Sequence, residues 1–234
     1  MKSKVLGIDS SGLVATVALM SEGILAAEYT IHNKKTHSQT LLPMIADMMK
    51  MAEIDLAQLD CIAVSAGPGS FTGLRIGAST AKGLAWTLGV PIVPVSSLMG
   101  LAANMTEHGA VVCPVMDARR NQAYYGIYRV TEGIPDVICE PGTESIENVV
   151  EAVNGIGEPV LFLGDGVPVF EEAIRSQSEV PVRFAGAAVR YQRGASIALL
   201  GGLLYEEGKY VQAGEFVPVY LRKSQAERER LGGK

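Results

Sequence analysis

The residues best suited to chemistry in this 234-residue chain lie in one stretch, Ala66-Gly67-Pro68-Gly69-Ser70-Phe71-Thr72-Gly73-Leu74-Arg75-Ile76-Gly77. It joins a strand pattern to a helix pattern. Gly67 and Gly69 permit positive φ or close backbone approach, and the helix N-terminus behind them offers free N–H groups to an anion. No Lys-Ser/Thr follows a correctly spaced glycine and the spacing is not GxGxxG, so neither standard phosphate fingerprint is met. The same glycines serve a tight strand-to-helix turn that lets helices pack closely, which is the commoner use. Metal chemistry has less support. The histidines are His32, His37 and His108, none with a histidine four residues on; four after His37 stands Leu41. A helical metal pair needs two ligands on one face. His37 alone reads as a helix-start or interface residue. Nucleophilic chemistry has no better footing. Ser96-Ser97-Leu98 lacks the GxSxG elbow. Cys61, Cys113 and Cys139 sit in or beside apolar strands without CxxC spacing, as reduced core thiols do.

These groups hang on a regular succession of elements. Residues 4–8 are a short apolar run ending at Asp9-Ser10-Ser11-Gly12, a strand and its turn. Strands follow at 14–20 and 24–31, around the turn Ser21-Glu22-Gly23. A helix begins at Thr36 or Ser38 and runs to Ala52, with Pro43 in or near its first turn. A strand at 60–66 leads into the glycine-rich turn and a helix over 71–88, stopped by Gly89-Val90-Pro91. A strand at 92–95 and a short helix to Met105, capped by Ser96-Ser97, complete the order βββαβαβα. After a boundary at 106–109 the theme restarts. Strands at 111–116, 123–130 and 137–140 precede a helix near 146–153, a strand at 160–163 and a helix over 195–207. The repeat is one of topology, with no residue-level repeat.

Composition narrows the class. A hydrophobic content of 48% and 26 glycines suit a globular α/β protein of one large domain or two lobes. A net charge of −5 and a pI near 5.3 oppose independent binding to a nucleic-acid backbone. The exception is local: between 220 and 234, five Lys/Arg face two Glu. No apolar run is long enough to span a membrane and Asp9 interrupts the apolar start, so neither a span nor a signal peptide is expected.

Two helices carry more apolar surface than one core requires. On a helical wheel Leu41, Leu42, Ile45, Met48, Met49 and Ala52 cover about 120°, and Met44, Met51 and His37 extend the arc to about 180°. A core face needs roughly 100°. The excess is methionine, which suits adaptable contacts. In the second helix Gly73, Gly77, Ala81 and Ala85 recur every fourth residue, a row that lets another helix come close.

The glycine-rich motif from Gly67 to Gly77 resembles the signature of the TsaB (YeaZ) family. Leu6-Gly7-Ile8-Asp9-Ser10-Ser11, His37-Ser38, Asp117-Ala118-Arg119-Arg120 with Tyr124, and Pro218-Val219-Tyr220-Leu221-Arg222 resemble its other motifs and come in the family's order. The resemblance implies an actin-like, two-lobed α/β fold. Its βββαβα N-terminal lobe, residues 1–106, carries the dimerisation helices, and a shortened second lobe, 107–234, ends in the basic tail. It further implies a cytoplasmic, non-catalytic subunit that binds TsaD and TsaE for threonylcarbamoylation of tRNA adenosine. Such a subunit forms a homodimer when alone, meets tRNA only through the complex and touches no membrane. It holds no cofactor; ATP and metal belong to the partner subunits, and the HxxxH pair of TsaD is missing here. The partner interface is expected at His37, Leu41, Leu42, Met44, Ile45, Met48, Phe71, Leu74, Gly77, Ala78 and Ala81. Asp9 falls where actin-like ATPases place their first phosphate-loop aspartate, so Asp9, Ser10, Ser11, Gly67 and Gly69 form a candidate vestigial nucleotide loop. Gly164-Asp165-Gly166 could pass for the second loop and Gly201-Gly202 for an adenosine contact. The alternative these last residues support is an independent actin-like ATPase or kinase.

Overall fold

The computed structural model describes residues 2–33 and 36–222, and it builds two five-stranded sheets by one rule applied twice. β1 (Lys4–Asp9), β2 (Ala15–Ser21) and β3 (Ile24–Ile31) form an antiparallel meander, and β4 (Cys61–Gly67) and β5 (Ile92–Ser96) extend it in parallel. The order is β3-β2-β1-β4-β5. β6 (Val111–Asp117), β7 (Gln122–Arg129) and β8 (Asp136–Ser145) repeat the meander, and β9 (Val160–Leu163) and β10 (Val182–Phe184) extend it. The order β10-β9-β6-β7-β8 is the same sheet again.

Helices fall in matching places. α1 (His37–Met51), α2 (Phe71–Leu88) and α3 (Ser97–Ala102) follow β3, β4 and β5. α4 (Ile146–Asn154), α5 (Val167–Gln177) and α6 (Gly194–Glu206) follow β8, β9 and β10. The result is the expected actin-like α/β architecture. The second lobe is shortened in β9, β10, α4 and α5 but lacks none of them. Pro43 departs from expectation: with the helix starting at His37 it stands in the second turn. Pro43 and the Gln39 whose carbonyl it leaves unbonded both face solvent, where water can take that carbonyl.

Both faces of each sheet are covered, which is why the central strands read as apolar runs. Leu6, Ile8, Ile62 and Val64 face α1 and α2, while Val5, Cys61, Ala63 and Val93 face α6. In the second sheet Cys113, Val115 and Phe162 face α4 and α5, while Val112, Met116 and Tyr128 face Leu98, Leu101 and Ala102 of α3. α3 therefore covers the second sheet and α6 the first. The two meet where the Ile197 side chain occupies the space a Cβ on Gly100 would need.

This exchange redraws the division expected at residue 106. α6 lies so close to the first sheet that a Cβ on Gly7 would stand 2.5 Å from the Gly194 carbonyl oxygen. Glu28 of β3 fixes its start, accepting from Ala195 N at 3.0 Å and pairing with Arg193. Thr16 Oγ1 accepts from Gly194 N at 2.9 Å. Beyond α6, Val211 pairs with Ile92 of β5. Residues 194–220 thus complete the first lobe, because α6 is the main cover of this apolar face of the first sheet, which α3 touches only at the β4–β5 edge.

Candidate functional site

Four turns meet at the cleft between the lobes, two from each half. β1 ends at Asp9, whose Oδ1 accepts from Ser11 N at 2.8 Å and Ser11 Oγ at 2.7 Å. β6 ends in the matching place at Asp117, whose Oδ1 accepts from Arg119 N at 2.7 Å. Each carboxylate ties down the residue two ahead of it. β4 ends at Gly67 with φ 117°, and β9 is followed by Gly164 with φ 106°, each turning into a helix. The halves therefore do match at single residues, against the sequence reading. The matched positions are too few to show as a repeat.

The cleft holds about 660 Å³. Ser11, Leu13, Ser70 and Phe71 line one side; Asp117, Tyr124, Asp165 and Val169 line the other. Asp165 is raised to about 6, first by burial and then by the nearby Asp117 carboxylate. Its Oδ1 is buried with no hydrogen-bond partner among the described residues. Asp117 is itself paired with the exposed Arg119 at 3.3 Å.

The structure brings Asp9, Ser10, Ser11, Gly67 and Gly69 together, but as a packed turn. Asp9, Ser10 and Ser11 are at most 1% exposed. Burial raises the Asp9 carboxyl above its ordinary range against the bonds from Ser11 that lower it. Ser70 N donates to the Ser11 carbonyl at 2.7 Å, and Ser10 Oγ donates to the Gly73 carbonyl at 2.9 Å. A Cβ on Gly69 would stand 2.4 Å from Ser11 O, and one on Gly67 would stand 2.3 Å from Val219 O. The glycines admit other parts of this chain where a phosphate would have to lie. These residues do not fit a magnesium nucleotide, since the Asp9 carboxylate is sealed below the cleft. Gly164 is used the same way, against the Val115 carbonyl. Gly201 and Gly202 are buried in α6, with Gly201 pressed on Ala63, so they make no adenosine contact in the cleft.

Most residues expected at a partner interface are core instead. Leu41, Met44, Ile45, Met48, Leu74, Ala78 and Ala81 are at most 6% exposed. Gly77 is buried against Ser10 Oγ. Phe71 is held between the Tyr220 ring, 4.9 Å away, and Arg75. The half-buried His37 has Nε2 3.1 Å from the Gly12 carbonyl oxygen. The physical reason is that α1 packs on the sheet and on α2 at once, so an apolar arc wider than roughly 100° is consumed inside the lobe. The row Gly73, Gly77, Ala81 and Ala85 is buried, with Gly73 and Gly77 against the Ser10 turn.

Leu42, 53% exposed, remains from that set as open surface. It is joined by residues the sequence reading did not single out. The outer face of α2 presents Thr72, Arg75, Ser79, Gly83 and Trp86 to solvent. Trp86 is the chain's one tryptophan and is 76% exposed. Nothing lies within 4 Å of a Cβ built on Gly83, so the fold of this chain does not require glycine there. Met51 at the end of α1 is 73% exposed. The available signal was a lone tryptophan on the otherwise polar side of the α2 wheel.

Among the described residues no group of three or more His, Cys, Asp or Glu is arranged to hold a metal ion. No described helix is long and apolar enough to cross a membrane. The basic tail from residue 223 onward lies outside the described residues.

A family model described as TsaD, tRNA N6-adenosine threonylcarbamoyltransferase, matches residues 25–230. The chain is 34% identical over 223 residues to the tRNA threonylcarbamoyladenosine biosynthesis protein TsaB of Bacillus subtilis (strain 168), covering 95% of this chain and 96% of that one. It is 29% identical over 234 residues to the protein of the same name from Escherichia coli (strain K12), covering 98% and 99%. The solved structure of YeaZ from Pseudomonas aeruginosa superposes with a TM-score of 0.81 at 30% identity, covering 94% of this chain and 100% of that one.

Proposed function

The chain belongs to the family described as tRNA N6-adenosine threonylcarbamoyltransferase, and within it to the TsaB (YeaZ) proteins; from that premise we propose that it is a non-catalytic scaffold and activator subunit in tRNA threonylcarbamoyladenosine biosynthesis. In this reading it binds TsaD, with TsaE joining the pair, and meets tRNA only through them in the cytoplasm. ATP and metal are supplied by those partners. Alone, it pairs with a second copy of itself through the same surface.

The observation that carries the reading is the outer face of α2, where an exposed Trp86 follows Ser79 and an unfilled Gly83 on one side of the helix. Small residues let a partner helix approach closely, and a tryptophan at the edge supplies a large apolar anchor. Leu42 on α1 widens the surface. The expected partner residues are thus Leu42, Ser79, Gly83 and Trp86, in place of the buried ones. The test is co-elution with TsaD on a sizing column. Trp86→Glu and Leu42→Glu should each leave a folded monomer that no longer associates. Wild-type-like co-elution of both variants would remove the surface from consideration. Because Trp86 is the only tryptophan, its emission should also shift to the blue when the partner is added.

The second reading, an independent actin-like ATPase or kinase, rests on the cleft of about 660 Å³ alone, because the Asp9 turn beside it is closed to a magnesium nucleotide. Calorimetry with ATP and magnesium on the pure chain separates the two. Tight one-to-one binding would favour the enzyme.

A further inference from the structure

After α6 the chain runs back along the first lobe and then leaves it. Phe216, 2% exposed, is buried in the first-lobe core, and Lys82 Nζ donates to its carbonyl at 3.1 Å. Val219 N donates to the Ala66 carbonyl at 2.7 Å, and the Val219 carbonyl fills the space beside Gly67. Tyr220 packs on Phe71 at the start of α2. Two residues later the chain has crossed the cleft mouth. The Arg222 guanidinium donates to the carbonyls of Ala118 and, at 3.4 Å, Arg119 on the turn between β6 and β7.

That turn needs holding. Arg119, Arg120 and Asn121 have φ of 66°, 57° and 57°, three successive non-glycine residues in the left-handed region. Such a run persists only where the surroundings enforce it. The matching turn of the first lobe, Asp9 to Gly12, is enforced by burial. The second-lobe turn is exposed at Arg119, Arg120 and Asn121. Its own lobe holds it through Asp117, which accepts from Arg119 N, and through Glu147, which accepts from Asn121 Nδ2 at 3.4 Å; from the first lobe the guanidinium takes the two carbonyls at the entrance to the left-handed run.

We propose that residues 216–222 are an interlobe latch: anchored on the first lobe by Phe216, Val219 and Tyr220, they set the width of the cleft through the hold of Arg222 on the β6–β7 turn. Releasing the guanidinium frees the second lobe to swing about the α3–α6 layer. Anything that competes for the Ala118 and Arg119 carbonyls opens the cleft.

The test uses the full chain with spin labels at Asp47→Cys and Glu151→Cys, one on each lobe, with Cys139→Ser; Cys61 and Cys113 are fully buried. Pulsed EPR reads the interlobe distance, and hydrogen exchange reads the Val219 amide. Arg222→Ala should broaden the distance distribution and speed Val219 exchange by about tenfold or more, the scale of a lost charge-assisted bond. Exchange in β1 and β6 should not change. Tyr220→Ala, which loosens the opposite anchor, should broaden the same distribution. If both variants keep the parent distribution, or if only amides 118–122 respond, the contact is local and the latch is overturned.

Discussion

Asp165 gives the sharpest physical prediction. Its carboxyl is carried from the ordinary 3.8 to about 6, mainly by burial, with Asp117 and more remotely Asp9 adding like charge. Between about pH 4 and pH 6 the folded chain therefore holds a proton that the unfolded chain has released. Stability contributed at this site falls as pH rises through that window and is level above it. The full displacement corresponds to about 3 kcal/mol. Because one side of the residue lines the open cleft, water screens part of that cost and the measured value should fall below it. Asp165→Asn removes the charge while keeping the shape. By urea unfolding, the variant should match the parent near pH 4 and exceed it by about 1–3 kcal/mol near pH 7.5. Asp117→Asn should narrow that gap by removing the larger of the two neighbouring charges. A difference between Asp165→Asn and the parent that stays flat with pH, or grows as pH falls, would refute the reasoning.

Further outcomes follow from packing. Ile45→Glu and Leu74→Glu should abolish folding rather than association, because each places a charge at a site at most 2% exposed; circular dichroism of the purified variants distinguishes the two. Glu28→Ala removes both the partner of Arg193 and the acceptor at the start of α6, and should cost about 1–3 kcal/mol in urea unfolding. In the monomeric Trp86→Glu background, Gly83→Ala should raise the melting temperature, gaining up to about 1 kcal/mol of helix propensity. Gly201→Ala in α6 should lower it, since a Cβ there would stand 2.2 Å from that of Ala63.

Much of the fold is written locally. The strand read at 60–66, the helix over 71–88 and the glycine turn between them each carry their own pattern, and the structure places the helix as read and the strand one residue later, at Cys61–Gly67. β10 and α5 were missed for local reasons too. β10 has three residues, and α5 opens Val167-Pro168-Val169, which reads as extended chain although Val167, Phe170 and Ile174 fall on one helical face. The site was harder to read, because its geometry depends on residues distant in sequence. Gly67 looks like a glycine kept for a phosphate until Val219, far along the chain, is found occupying the space beside it. Asp9 looks like a phosphate-loop aspartate until Ser11 takes its oxygen and Ser70 closes over Ser11. The wide arc of α1 looks like spare surface until α2 is seen sharing it. Wheel arithmetic counts apolar degrees but not the neighbours that consume them.

The crossing of α3 and α6 between the halves also constrains how the chain is made. During synthesis β1 to β5 emerge long before residues 194–206. Until then the face formed by Val5, Cys61, Ala63 and Val93 lacks its main cover, with only Met99 of α3 and the neighbouring Ala103 packed against it. The first lobe therefore cannot mature as a unit when its own sequence is finished, and both lobes must close in one late step with high contact order. A fragment ending near residue 106 would carry that bare apolar sheet permanently. Expressed alone it should aggregate, whereas the whole chain seals the sheet with α6.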